Sequence, residues 1–226
     1  LSLLAAMLAC ALAGLLIERF LYAPLLALPR IIPLIGSIGL FIAMEEAYRI
    51  VAGPYALSYN AEVGLRGLGL GPLRLSPPQT LILVVTLVLL GLLWLLLTRS
   101  TVGLAMRATA MDPEITSSFG VNVRAVVSLN FLIGSAMAGA AGVLIGVYDN
   151  QVWPTMGSVP AYKCLAIVVL GGLGNIPGTV LAAFLIGLAE TLLIGVAAIP
   201  FPRDALAFVA MILVLMFRPH GLLGKG

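Results

Sequence analysis

Long apolar runs separated by polar gaps make up most of the chain. The strongest run is QTLILVVTLVLLGLLWLLL at residues 79–97, which contains no charged residue. A hydrocarbon core about 30 Å thick requires about 20 helical residues, so this run predicts a membrane-spanning helix. Weaker or shorter runs predict further transmembrane or re-entrant helices at 1–17, 31–52, 127–147, 161–176, 178–199 and 204–217.

The runs together predict an all-α fold, a polytopic membrane helical bundle of about seven transmembrane or re-entrant helices. We expect one transmembrane domain over residues 1–226, interrupted by a polar loop at 98–126. The chain begins at Leu1, without Met, inside an apolar run that lacks the positively charged start of a signal peptide. We therefore expect an N-terminally truncated piece of a longer protein.

Composition places the chain in a lipid bilayer. Of its 226 residues, 62% are hydrophobic and only 9% are charged, whereas soluble domains carry about 25% charged residues. Polar surface is too scarce to cover a water-soluble body. The formal net charge of +3 is small and dispersed, so nothing supports binding to nucleic acid.

The distribution of Lys and Arg favours one orientation across the membrane. Alternating the predicted spans places one positive set on the side of the 98–126 loop: Arg19, Arg30, Arg99, Arg107, Arg124, Arg218 and Lys225. The opposite side receives a smaller set: Arg49, Arg66, Arg74, Lys163 and Arg203. Because positive residues accumulate in cytoplasmic loops, the loop and the C-terminus are predicted to face the cytoplasm, with Leu1 starting outside.

Small residues recur every four positions in two of the predicted spans. One stripe consists of Gly134, Ala138, Gly142 and Gly146, and the other of Ala183, Gly187, Thr191 and Gly195. Such stripes let membrane helices approach closely, so they predict helix packing in a compact bundle. The alternative is the ordinary abundance of small residues in membrane helices.

Sequence patterns of catalysis and metal binding are missing. No GxxxxGK[ST] motif occurs, so the chain cannot hydrolyse ATP through a P-loop. The one histidine, His220, has no neighbouring ligand cluster, and Cys10 and Cys164 match no metal or redox spacing. We expect no catalytic residue, no metal and no cofactor in this chain.

Glu190 lies midway along the predicted span 178–199. A carboxylate at that depth costs a few kcal/mol on insertion scales. One interpretation is a carboxylate that lines a pathway or couples transport to protons. The other is a carboxylate that faces the bundle and is satisfied by a neighbouring helix or by Thr191.

The polar loop contains the start and stop signals of a short helix over residues 113–119. Asp112 is a good N-cap residue, Pro113 suits the first helical position, and Glu114 places negative charge near the positive helix terminus. Gly120 suits the left-handed position that ends a helix.

This predicted helix is too short to be stable alone, so it must pack against something. Ile115 and Phe119 are four residues apart and share one face. Either the helix is a connector that rests on its own bundle, or it docks into a groove on a soluble partner.

Several motifs resemble one transporter family. The run TVGLAMRATAMDPEITSSFGVNV resembles the cytoplasmic coupling segment of branched-chain amino acid ABC transporter permeases of the LivH-like type. Three further stretches are similar to the same family: ERFLYAPL at 18–25, WPTMGSVPAYKCLAIVVLGGLGNIPGTVLAAFLIGLAE at 153–190, and FRPHGLLG at 217–224. The resemblance covers the chain from about residue 18 to its end.

The resemblance implies an importer permease in a bacterial or archaeal cytoplasmic membrane. Its partners would be two cytoplasmic ATPases that bind ATP, a second permease subunit of the same or a similar chain, and an extracytoplasmic amino-acid-binding protein. Asp112 to Gly120 would form the coupling helix, with Ile115 and Phe119 as anchors. Arg107 would lie on the adjoining helix and pair with an acidic group of an ATPase.

The glycines at 171–174 and the transported substrate each allow more than one interpretation. Gly171, Gly172 and Gly174 are better explained by a bend between helices than by a phosphate loop, and the broken segment could line the transport route. Alternatives to amino acid import are a permease for urea or short amides of the same class, and a proton-coupled secondary transporter that uses Glu190.

Overall fold

The computed structural model describes residues 2–25, 31–58, 69–70, 73–74, 76–172 and 174–195, with isolated helical positions at 209, 212 and 216. It forms two compact units, Leu1–Pro154 and Thr155–Gly226, which are described separately. Apart from those isolated positions, the predicted span at 204–217 lies outside the described residues.

The described elements are predominantly helical, which confirms the all-α class. The helices are α1 (Ser2–Ile17), α2 (Ala23–Leu25), α3 (Ile31–Ala52), α4 (Pro77–Arg99), α5 (Thr101–Met111), α6 (Pro113–Ser118), α7 (Val123–Asp149), α8 (Ser158–Gly171) and α9 (Ile176–Gly195). A π-helical turn, Glu18–Tyr22, joins α1 to α2. The two-residue strands are β1 (Leu57–Ser58), β2 (Gly69–Leu70), β3 (Leu73–Arg74) and β4 (Gln151–Val152).

Among the described residues, three helical segments are long and apolar enough to cross a membrane. They are Ser2–Leu25, Pro77–Arg99 and Val123–Asp149. The start of the second follows local rules, because Pro77 suits the first helical position and the Gln79 side chain accepts a 3.0 Å hydrogen bond from the backbone N–H of Ser76. The predicted helix at 31–52 is present as α3, while the full count of about seven spans stays a prediction.

The centre of the first unit is the antiparallel contact between α1 and α7. A Cβ atom on Gly139 would lie 2.8 Å from Cys10 Cβ and 2.9 Å from the Ala6 carbonyl oxygen, and a Cβ on Gly14 would overlap Ser135 Oγ. The two backbones therefore approach as closely as glycine permits.

Two short antiparallel β pairs accompany the helices. In one, Leu57 and Ser58 pair with Val152 and Gln151, which ties the end of α3 to the end of α7. In the other, Gly69 and Leu70 pair with Arg74 and Leu73. Neither pair was expected from the apolar pattern, because strands of two residues have no detectable periodicity.

The second unit contains a helical hairpin of α8 and α9. Its core comprises Ala166, Leu170, Ala182 and Ile186, all buried. The prediction of one helix over 161–176 was wrong in its bounds, because α8 occupies Ser158–Gly171 and the next helix already begins at Ile176.

The bend of this hairpin occurs at the glycines. Gly172 and Gly174 have φ angles of +99° and +85°, conformations that residues with side chains rarely adopt. The predicted bend is therefore confirmed. Gly171 packs directly on the backbone of Gly178 and Thr179, so the two helix ends meet without intervening side chains.

Candidate functional site

The polar loop folds into two short helices that share Asp112 as their boundary. The backbone N–H of Asp112 donates a 3.1 Å hydrogen bond to the Ala108 carbonyl and ends α5. The Asp112 carboxylate accepts hydrogen bonds from the backbone N–H groups of Glu114, at 2.9 Å, and Ile115, at 3.0 Å. The predicted N-cap is confirmed, with Pro113 at the start of α6.

The C-terminal end of α6 also follows the prediction. The helix ends at Ser118, Phe119 is its C-cap, and Gly120 has a φ angle of +83°. The helix is thus one residue shorter than the predicted 113–119. Asn122 then caps α7 by accepting a 3.2 Å hydrogen bond from the backbone N–H of Ala125.

One face of α6 is held against its own chain. The helix contacts α5 and α7. Thr116 is only 6% exposed, and its hydroxyl donates a 2.7 Å hydrogen bond to the Asp112 carbonyl. Met106 and Thr109 of α5 are buried as well. The buried face is therefore polar at Thr116, a role that the apolar pattern did not indicate.

The opposite face of this region exposes large apolar side chains. Ile115 is 58% exposed and Phe119 83%, and Met111 at the end of α5 is 89% exposed. Met111 was not among the predicted residues, and its spacing from Ile115 gave no signal, because α5 ends at Met111 and the extended backbone of Asp112 separates it from α6. Arg107 and Glu114 are also exposed and lie near this apolar edge in sequence.

Glu190 is paired with Lys163 across the α8–α9 hairpin. Lys163 Nζ lies 3.0 Å from Glu190 Oε1 and donates a 3.1 Å hydrogen bond to Oε2. The Oε1 contact is close enough for an ion pair, but its angles do not make a hydrogen bond. The Thr191 hydroxyl instead donates to the Gly187 carbonyl at 2.8 Å. A lysine on the neighbouring helix thus pairs with Glu190, and a pathway role for this carboxylate stays a prediction.

The predicted small-residue stripes do not form the helix contacts seen in the described units. A Cβ on Gly134, Gly142 or Gly187 would meet nothing within 4 Å, and Ala138 and Ala183 are exposed. Only Gly146 is closely approached, by Val152 Cγ2 at 3.1 Å from its Cβ position. The surroundings of Gly195 lie outside the described part. Packing through these stripes stays a prediction.

Metal binding finds no support in the described part of the chain, where no three His, Cys, Asp or Glu side chains come together. Two features of the described part are candidate sites, the exposed edge of α6 and the Lys163–Glu190 pair. Gly171 and Gly172 are buried at the hairpin bend and Gly174 is exposed there, which gives these glycines a backbone role.

Comparison with known proteins identifies the family. Residues 1–217 match the branched-chain amino acid transport system permease component family. The chain belongs to this family. It is 37% identical over 215 residues to the high-affinity branched-chain amino acid transport system permease protein BraD of Pseudomonas aeruginosa, covering 92% of this chain and 69% of BraD.

Two further relatives match the chain at lower identity. The permease protein LivH of Escherichia coli is 33% identical over 215 residues, covering 92% of this chain and 69% of LivH. The galactofuranose transporter permease protein YtfT of the same species is 25% identical over 198 residues, covering 84% of this chain and 56% of YtfT. No solved structure matches the chain.

Family membership and the long apolar helices together identify a multi-pass membrane protein. The relatives are permease components of transport systems, a class of transport subunit and not of enzyme. The Lys163–Glu190 pair and the exposed edge of α6 are thus features of a permease.

Proposed function

We propose that this chain is a transmembrane permease subunit of an ATP-binding-cassette importer for branched-chain amino acids in a bacterial or archaeal cytoplasmic membrane. Its partners are two cytoplasmic ATPases, which bind the ATP, a second permease subunit, and an extracytoplasmic binding protein. The relatives BraD and LivH, both named as branched-chain amino acid permeases, support this substrate class.

The observation that carries the proposal is the structure of α6. This helix is capped at both ends, contacts α5 and α7, buries Thr116, and exposes Ile115 and Phe119. Side chains at this spacing are suited to insertion into a groove on a partner protein. A permease without a P-loop must obtain its energy from a partner ATPase, so we expect the groove that receives these side chains to belong to an ATPase.

Coupling follows from the contacts of α6. A closing ATPase that grips Ile115 and Phe119 displaces α6, and α6 contacts α7. Because α7 packs against α1 with close approaches at Gly14 and Gly139, the displacement reaches the membrane helices as a rigid-body movement. The movement shifts the bundle between its outward-open and inward-open states.

The test is Phe119→Asp in the complete transporter, reconstituted in proteoliposomes with its ATPases, partner permease and binding protein. Loss of a central aromatic anchor costs about 2 kcal/mol or more of binding free energy, which corresponds to roughly a thirtyfold weaker ATPase affinity. We expect ATP-dependent leucine uptake to fall at least tenfold and ATPase co-purification to be lost.

Two matched variants control this experiment. Phe119→Leu keeps an apolar anchor and should retain most of the uptake. Ser118→Asp adds the same charge at the neighbouring exposed position and should leave ATPase binding in place. Normal ATPase binding by Phe119→Asp, or leucine uptake that continues without ATP, would contradict the proposal. Uptake of urea or galactofuranose but not leucine would refute the substrate class alone.

A further inference from the structure

The Lys163–Glu190 pair joins two different helices, whereas Arg49 and Glu46 pair within α3. Its two side chains are 21% and 17% exposed. We propose that this pair binds the charged head group of an amino acid in transit, with Lys163 receiving the α-carboxylate and Glu190 the α-ammonium group. The inference rests on the proposed function and names two residues that would bind its substrate.

Stability alone does not explain the pair. The hairpin below it packs through apolar contacts among Ala166, Leu170, Ala182 and Ile186. Lys163 and Glu190 occupy the next positions along these two faces, where further apolar residues would continue the same packing. Replacing a buried ion pair by packed apolar residues is often neutral or stabilising, so stability gives no reason to prefer charges at these two positions.

Both oxygens of Glu190 face the Lys163 ammonium group, which lies 3.0 Å from Oε1 and donates a 3.1 Å hydrogen bond to Oε2. A carboxylate can accept several hydrogen bonds, so one donor group does not use all the acceptors of Glu190. An α-ammonium group carries three donors and would use the remaining ones.

A zwitterion matches the pair in charge. When an amino acid inserts, one ion pair is replaced by two, Lys163 with the ligand carboxylate and Glu190 with the ligand ammonium. The net charge of the site stays zero throughout, which matters because an unpaired charge at membrane depth is costly. The partial exposure of both side chains leaves them reachable by a small ligand.

The surroundings of the pair suit an aliphatic side chain. Ile167 lies four residues after Lys163 and therefore on the same face of α8. It is partly buried against the hairpin core. A ligand whose head group is held at the pair can place a branched aliphatic side chain along Ile167, so the site distinguishes apolar from polar amino acids.

The first experiment measures ATP-driven leucine uptake by the complete transporter in proteoliposomes. Glu190→Gln and Lys163→Gln should each lower uptake at least tenfold while the ATPases still co-purify. The charge-exchanged double variant, Lys163→Glu with Glu190→Lys, should remain below a tenth of the normal uptake rate. The exchanged charges would bind the head group in the reverse orientation, so the ligand side chain would no longer lie along Ile167. Cys164→Ser, at the exposed neighbouring position, is the control and should transport normally.

The outcomes separate this inference from the proposed function. If the unaltered transporter takes up no leucine, the proposed function is wrong. If it transports and the charge-exchanged variant does too, the pair is only structural and the inference is overturned. Normal uptake by both single variants would overturn it as well.

A second experiment measures binding by calorimetry with the detergent-solubilised transporter in the absence of the binding protein. Leucine should bind at least tenfold more tightly than leucinamide, which lacks the carboxylate, or 4-methylpentanoate, which lacks the ammonium group. Glu190→Gln should remove the preference for leucine over 4-methylpentanoate, because the group that binds the ammonium is lost. The same variant should keep the preference for leucine over leucinamide, because Lys163 still binds the carboxylate. Equal binding of the three compounds, or no binding of leucine, would refute the site.

Discussion

Asp112 ends one helix and begins the next at a single position. Its extended backbone, with φ −152° and ψ 106°, breaks the helical path, while its carboxylate bonds the first free N–H groups of α6. Asp112 therefore sets the start of α6, the helix that exposes Ile115 and is followed by the exposed Phe119. The sequence identified this cap because capping is a local interaction between adjacent residues.

Replacing Asp112 by Ala should destabilise α6 by about 1 kcal/mol, because two backbone N–H groups lose their acceptor. The change corresponds to about a fivefold increase in the open population of the helix. Hydrogen exchange measured by mass spectrometry should show faster exchange over the amides of residues 114–118 alone. Asp112→Asn keeps an acceptor at the cap and should exchange at the normal rate; equal exchange in both variants would contradict the capping role.

At the scale of helices, the contacts lie one residue away from the predicted stripes. The face of α7 that contacts α1 contains Ser135 and Gly139, whereas the predicted stripe contains Gly134 and Ala138. The face of α9 that contacts α8 contains Ala182 and Ile186, whereas the predicted stripe contains Ala183 and Gly187. Neighbouring positions on a helix differ by about 100° in direction. A sequence with small residues on both faces does not say which face meets a neighbour.

Gly139→Ala and Gly134→Ala form a matched pair that tests this assignment. The new methyl group at Gly139 would lie within 2.9 Å of Cys10 Cβ and the Ala6 carbonyl, whereas the one at Gly134 would meet nothing within 4 Å. Overpacking costs about 1–3 kcal/mol, so Gly139→Ala should lower the apparent Tm in detergent by roughly 5 °C.

Gly134→Ala should leave the apparent Tm unchanged or slightly higher, because alanine favours a helix more than glycine does. A larger loss of stability at Gly134 than at Gly139 would show that the predicted stripe, and not the observed contact, packs the bundle.

At the scale of the whole molecule, orientation in the membrane is the property that the positive charges predict. The α5–α6 region should face the cytoplasm, where ATPases are, and the segment before α8 should face outside. The antiparallel arrangement of α1 and α7 is consistent with a chain that starts outside and re-enters from the cytoplasmic loop.

Thiol labelling in a background of Cys10→Ala and Cys164→Ala can measure this orientation. Ser117→Cys, on exposed α6, should react with a membrane-impermeant maleimide only in inside-out vesicles. Gly157→Cys, at the exposed start of α8, should react only in right-side-out vesicles. The reverse pattern would invert the topology and remove α6 from the reach of any cytoplasmic ATPase.

Local sequence signals were sufficient for the membrane class, for the long apolar helices α1, α3, α4 and α7, and for the ends of α6 to within one residue, because hydropathy and capping depend on residues close in the chain. Tertiary contacts were needed to establish which helix faces pack, that Thr116 is buried, and that Glu190 pairs with Lys163, which is 27 positions away. These features depend on which helices become neighbours in space. A pattern read along one segment contains no information about the neighbour that will cover it.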